Sequence, residues 1–503
     1  MWRNKEPFPS SALKRRVAGK PRQWTAIGFA LALLAAGCGD DQAPVGYVGN
    51  VEGYLGGIAA DEPHAVLVGR DTLSAGGTAV DVAVSIYFAL AVTYPNAAAL
   101  GAGGSCLIKV FDSAKVDLVD FPLRPSGGVF AVPAAVRGMA IMHARHGRLQ
   151  WGRLIVPAEQ LARFGRPMSR ALAKIADAMD PVRLANSDLA DLLLDANGDR
   201  LKEGQEIRQI ELAATLGRIR SAGPADLYVG QLAKNLANGT AEMGAALDIS
   251  QMRSYAPVFG PAASVEVGGG LLHVAPNAGG RLVRNLWQTL FESRNILEQA
   301  VEIDGLAFQK ALAVAVGDLG DQAAPSTGAD TGFVVVDGVG GAVACNFSMG
   351  QPFGTGRIEP TTGIMLAAAP ARGQARAATP LVLTSGGAKS QLIIGAAAGG
   401  GGAGPTALAL TALDVIGAKH NLDPGMSRPR LHQADAKGPV LHEPGLDRQT
   451  AAAIAATGIR LEPTDKLGRV NAIVCPKGFS DQPGACRYGS DPRGYGLSFG
   501  SEF

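Results

Sequence analysis

TGFVVVDGVGGAVACNFSMGQPFGTGRIEPTTGIML, residues 331–366, sets a threonine at the head of an apolar run, Phe333 to Val336. Asp337–Gly341 supplies turn residues, a second apolar run follows from Ala342 to Phe347, and a glycine-punctuated loop, Phe353-Gly354-Thr355-Gly356, comes next. Short β-branched and aromatic runs bounded by Gly and Asp predict two buried strands joined by a tight turn. If the chain is cut just before such a leading threonine, the freed α-amine lies beside the hydroxyl and can activate it.

Around this stretch the chain has 503 residues, 47% of them hydrophobic, enough for one large core or two ordinary ones. Sixty-seven glycines and few aromatics point to tight turns and close layer packing. The formal charge of +2 is misleading. Residues 1–24 carry seven Lys/Arg against Glu6 alone, and the remainder holds 39 basic against 43 acidic residues. An excess of acid over base in the body of the chain excludes a nucleic-acid partner.

The basic tail and the uncharged run Thr25–Gly37 read as a targeting segment, too short to span a bilayer. Its end, Leu34-Ala35-Ala36-Gly37-Cys38, is similar to a bacterial lipobox, which makes Cys38 the lipidation site; an ordinary secretion signal also fits. The expected product is an exported lipoprotein on the periplasmic face of the membrane, most simply the outer membrane, tethered by a lipid anchor. Residues 1–37 are then the signal, 38–52 a tether, and 53–503 one folded domain. In an oxidising compartment Cys475 and Cys486, flanking a turn-rich loop, form a candidate disulfide, while Cys106 and Cys345 in apolar runs read as core positions.

Gly57–Ala60 predicts a short strand, Pro63–Ser74 a helix, and Thr78–Val92 an apolar helix with Thr78 as N-cap. Strands are expected over 105–111 and 116–121, mostly helices over 133–247, strands over 263–275 and helices over 281–317. After the 333–347 pair come strands at 381–384 and 391–395, a helix near 405–418, and a last strand pair around 470–490. Strand pairs set between helical blocks, without βαβ alternation, imply a layered α+β fold.

Several blocks together resemble the γ-glutamyltransferase family. GIAADEPHA (57–65), AGGTAVDVAVSIYFALAVTYPNAAALGAGGSCLIKV (75–110), VPAAVRG (132–138), HGRLQWGRLIVPAEQLARFG (146–165), PNAGG (276–280) and GSDPRGYG (489–496) occur in the family's order. With 331–366, the resemblance runs over roughly residues 55–500. It implies a four-layer αββα sandwich of the N-terminal nucleophile hydrolase type, with a large-subunit-like part 53–330 and a small-subunit-like part 331–503. It also implies self-cleavage, amidase or peptidase chemistry on a γ-glutamyl-like acyl group, a small-molecule or peptide amide substrate, and no metal or organic cofactor.

The site departs from the family's pattern. A Thr-Thr-His run precedes the first small-subunit strand in the family, and its first threonine is the nucleophile; this chain has Asp330-Thr331-Gly332 there. Two readings stay open: Thr331 serves as nucleophile through a one-residue slip, or the site is degenerate and the chain is a non-catalytic binding or structural module. Ser326 and Thr327 are outside candidates. The resemblance assigns Ser348 the hydroxyl that orients the nucleophile, and Gly399 and Gly400 the amides that hold the oxyanion, since glycine lets backbone N–H groups approach closely. Gly350 stands where an asparagine binds the substrate carboxylate. Arg124 is displaced by two from the family's carboxylate-binding arginine. Arg372 falls at the acidic ammonium partner, and Arg376-Ala377 at the paired serines. Arg124, Arg372 and Arg376 together lead to an expected preference for an anionic acyl group.

Overall fold

The computed structural model of the chain describes residues 47–48 and 56–500, apart from 112, 127, 292–293, 321–329, 372–375, 388–389 and 480–485. The signal segment, Cys38, most of the tether, Ser326, Thr327 and Arg372 lie outside the described residues.

Its main strands are β1 (Tyr47–Val48), β2 (Gly56–Ala60), β3 (Gly103–Lys109), β4 (Val116–Phe121), β5 (Val258–Pro261), β6 (Ala263–Val267) and β7 (Gly270–Val274). They continue with β8 (Asp330–Asp337), β9 (Ala342–Ser348), β10 (Pro380–Ser385), β11 (Leu392–Gly399), β12 (Arg469–Val474), β13 (Arg487–Ser490) and β14 (Leu497–Gly500). One eight-stranded sheet has the order β1-β14-β2-β8-β9-β3-β4-β5, and a six-stranded sheet the order β13-β12-β11-β10-β7-β6. β8 and β9 form an antiparallel hairpin near the centre of the first sheet, flanked by β2 and β3.

Side-chain alternation along the strands makes the layers. Phe333, Val335, Cys345 and Phe347 enter one core with helices α1 (Pro63–Ser74), α2 (Ala79–Thr93), α3 (Ala135–His146) and α4 (Trp151–Phe164). Val334, Val336, Ala342 and Ala344 meet Val382, Leu392 and Ile473 of the second sheet. The outer face of that sheet, Leu272, Leu383, Ile394 and Ala472 among others, packs on α5 (Ala278–Phe291), α6 (Gly305–Gly317) and α7 (Ala403–Ala412). Helix, sheet, sheet, helix is the four-layer arrangement. A sheet covered on both faces explains why Phe333–Val336 is continuously apolar although its pairing is antiparallel.

Local chemistry fixes the elements beside the future site. Thr78 and Asp81 form a reciprocal capping box at the start of α2. Glu62 caps α1 by accepting from Ala65 N–H at 2.9 Å and also accepts from Thr93 Oγ1 at 2.8 Å, which ties the end of α2 to the exit of β2.

Cys475 and Cys486 are disulfide-bonded. Cys106 and Cys345, read from the sequence as core positions, are buried and also joined by a disulfide. They stand directly opposite each other in the β3–β9 ladder with their Cα atoms 4.1 Å apart, within bridging distance of a disulfide. A separation of 239 residues hides this pairing from any local reading.

Candidate active site

At the head of β8, regular pairing sets Asp330 opposite Ser348 and Thr331 opposite Phe347. Alternation starts Asp330 on the inter-sheet face of Val334 and Val336, and Thr331 on the helix-side face of Phe333 and Val335. Being at the strand end, the Thr331 hydroxyl nonetheless reaches Asp61, just beyond β2, and donates to its Oδ2 at 2.9 Å. Asp61 accepts from Asn471 Nδ2 through its other oxygen, also at 2.9 Å, and that amide reaches the Gly332 carbonyl at 2.9 Å. Asn346 Nδ2 donates to the carbonyls of Thr331 and Ala398. Both asparagines therefore pin the strand, one at the Thr331 carbonyl and one at the Gly332 carbonyl.

The carbonyl of Asp330, the residue before the threonine, has its own partner. Arg469 Nη2 donates to it at 3.3 Å, and the same guanidinium stands 3.5 Å from Asp61. An added Cβ on Gly399 would lie 2.5 Å from this carbonyl oxygen, so only glycine permits the approach. The Asp330–Thr331 peptide thus lies between a hydroxyl acceptor, Asp61, and a carbonyl donor, Arg469. Thr331 and Asp330 are 0% and 4% exposed, so the uncut bond is sealed from solvent. Asn346 Oδ1, Asn471 Oδ1 and Arg469 Nε are buried near it and have no hydrogen-bond partner among the described residues, where buried polar atoms are as a rule paired.

Electrostatics follow the burial. Desolvation pushes the Asp330 carboxyl up to about 6 despite Arg469 and the Gly401 N–H, with Asp61 adding to the rise. Burial also drives the nearby Tyr94 phenol up to about 12. For Arg469, burial opposes the charge, but Tyr94, Asp61, Asp330 and Asp491 outweigh it and hold the guanidinium above its ordinary value.

The folded Asp330 pKa exceeds the ordinary 3.8. The folded protein therefore keeps a proton that the unfolded chain releases, and this contribution is lost as pH rises from about 4 through about 6. In the uncut, full-length chain, Asp330→Asn is expected to raise stability at pH 7.5 by on the order of 2–3 kcal/mol, with the gain vanishing near pH 4. Urea unfolding at the two pH values measures it; a gain independent of pH contradicts the assignment.

Ser348 lies across from Asp330 rather than from Thr331, and its Oγ accepts from Gly350 N–H at 3.1 Å. Gly399 ends β11. Gly400 has φ +101°, and a Cβ there would meet Gly468 Cα at 2.6 Å. It is the N–H of Gly401 that points at the β8 head, donating to Asp330 Oδ2 at 3.2 Å. Within a run of four glycines, sequence alone could not single it out.

Arg376 makes a bidentate pair with Asp120 at 2.7 and 2.8 Å, so its charge is already met. Arg124 is exposed, with its guanidinium 5.0 Å from the Tyr255 ring centroid. It follows the end of β4, three strand spacings from β8, or roughly 14 Å. Sequence reasoning missed Asp61, Arg469 and Asn471. The available signal was polar residues at alternate positions, 469 and 471, in the otherwise apolar strand RVNAIV.

Two facing sheets between helical layers are the four-layer fold of the N-terminal nucleophile hydrolases. A crystal structure of cephalosporin acylase from Bacillus halodurans shares it, with a TM-score of 0.73 at 19% identity over 91% of this chain and 98% of the other. The gamma-glutamyltranspeptidase family model matches residues 65–128 and 122–302. Human glutathione hydrolase 6 is 28% identical over 391 residues, covering 74% of this chain and 73% of its own length. The Escherichia coli K12 glutathione hydrolase proenzyme is 26% identical, covering 63% and 66%. Scoloptoxin SSD14 of Scolopendra dehaani is 29% identical, but the match covers 46% of this chain and 44% of the toxin. These matches support a divergent member of the γ-glutamyltranspeptidase family.

Proposed function

We propose that the protein is a self-cleaving amidase whose nucleophile is Thr331. The observation that carries this reading is the environment of the Asp330–Thr331 peptide, with Asp61 on the threonine hydroxyl and Arg469 on the preceding carbonyl. In the first step Thr331 Oγ bonds to the Asp330 carbonyl carbon while Arg469 steadies the developing oxyanion. The Oγ proton passes through Asp61 to the departing nitrogen, the C–N bond breaks, and an ester is left. Water then hydrolyses the ester, giving an Asp330 carboxylate and a free Thr331. In turnover the α-amine takes the hydroxyl proton, Oγ attacks the substrate amide, the amine product leaves with that proton, and water releases the acyl group.

For the acyl group, Arg124 supplies a cation without a carboxylate partner among the described residues at the same end of the sheet, while Gly350 and Arg376 take the places of an asparagine and a serine of the family. A γ-glutamyl ammonium would need an anion when desolvated, and Asp120 is already held by Arg376. The expected substrates are therefore γ-glutamyl-like acyl amides that retain the carboxylate and do not require the ammonium. Both disulfides suit an oxidising compartment, which supports export and, with Cys38, a lipid-anchored periplasmic enzyme.

Glutaryl-p-nitroanilide, which lacks the ammonium, should be hydrolysed at least as fast as γ-glutamyl-p-nitroanilide. A clear preference for the γ-glutamyl compound would overturn the acyl-pocket reading. No release from either compound would favour the second reading, a non-catalytic binding module. One observation supports that alternative: Asp330, not a hydroxyl residue, stands opposite Ser348 and occupies the Gly401 amide.

A further inference from the structure

A cavity of about 280 Å³ contains no residue of the β8 head. It lies among α6, the end of α7, and the helices α8 (Leu422–Ser427) and α9 (Arg448–Ala455). This volume is just below the range of about 300–1,000 Å³ common for small-molecule sites. Phe308, Leu410, Leu413 and Leu431 make apolar walls. At Leu413–Gly417 helix α7 loosens into a π-helical turn, a distortion found frequently at functional sites. That turn presents Asp414 to the cavity.

Asp414 is only half used by the protein. Its Oδ1 takes both Arg428 and His420, the latter at 3.2 Å. Its Oδ2 is buried and has no hydrogen-bond partner among the described residues. The carboxylate side chain is 10% exposed, so bulk water does not compensate that oxygen. Glu302 and Asp447 add two more carboxylates to the lining, against Arg428 and Arg430. Arg430 is already spent on Asp491. The cavity therefore combines an apolar body with an excess of acid and one unsatisfied acceptor.

We propose that this cavity binds a small primary amine with an apolar body, its ammonium donating to Asp414 Oδ2. Both an ammonium and an alcohol would donate to the ionised oxygen, but only the ammonium brings a positive charge to a lining with an excess of carboxylate, so it is favoured. The site is separate from the Thr331 centre and does not depend on self-cleavage.

Titration calorimetry of the full protein with phenethylamine, phenethyl alcohol and 3-phenylpropionate tests it. Phenethylamine should bind one-to-one, at least tenfold tighter than either of the others, and Asp414→Asn should cost at least tenfold. Because Asp414 also holds Arg428 and His420, Leu410→Trp serves as a second variant: it fills the cavity and should abolish binding with the melting curve unchanged. Thr331→Ala should leave binding intact, which separates this site from the catalytic reading. No phenethylamine binding at millimolar concentration, equal affinity for the alcohol, or binding that survives Leu410→Trp would overturn the proposal.

Discussion

Thr331→Ala is expected to yield a single uncut chain whose amide hydrolysis falls by about 10³-fold or more, the scale of loss when the nucleophile is taken from a catalytic unit. The change removes the oxygen that donates to Asp61 while leaving the strand pairing of Thr331 with Phe347 untouched. Asp61→Asn should slow self-cleavage by about 10²-fold rather than abolish it, because proton transfer is assisted but the nucleophile remains. Thr331→Ser should cleave. Time courses of cleavage and of anilide hydrolysis separate the three variants, and an active, cleaved Thr331→Ala protein would move the nucleophile elsewhere.

Arg430→Met is expected to destabilise the fold by about 3–5 kcal/mol, the cost of stranding one partner of a buried ion pair. Arg430 and Asp491 are 3% and 1% exposed at their side chains. The guanidinium also donates to the carbonyls of Leu467 and Gly468 at 3.1 and 3.2 Å, and to Met426 and Thr411. Asp491 in turn receives the Val470 N–H at 2.9 Å and Arg493, which is paired with Glu443. Since Gly468 sits against Gly400, the loss should also loosen the glycine loop and lower activity in whatever folded protein remains. Urea unfolding reads the first effect; a loss under about 1 kcal/mol would show that the network is not under this tension.

Much of the fold was legible because its signals are local. Thr78 and Asp81 spell a helix start, Asp337–Gly341 spells a turn, and apolar runs near 333 and 343 spell buried strands. The site was less legible because its partners come from distant segments. Asp61 lies 270 residues from the threonine it binds, and Asp120 lies 256 from Arg376. No periodicity reports such contacts. The same limit made Arg376 look like a free substrate cation, when Asp120 neutralises it, and made Cys106 and Cys345 look like simple core. Ser348 was expected beside Thr331, yet antiparallel register pairs it with the preceding residue. A slip of one residue moves a side chain to the other face, so counting along the sequence could not decide which of Asp330 and Thr331 faces which partner.

The most direct test uses the purified protein on paired denaturing gels with mass and N-terminal analysis. Cys106 and Cys345 lie on opposite sides of the Asp330–Thr331 bond and are joined by a disulfide. A cleaved protein should therefore run as one full-length species without reductant and separate into two on reduction, the smaller beginning at Thr331. A single uncut chain under reducing conditions, or a new terminus at any other residue, would contradict the assignment of Thr331 as a self-released nucleophile.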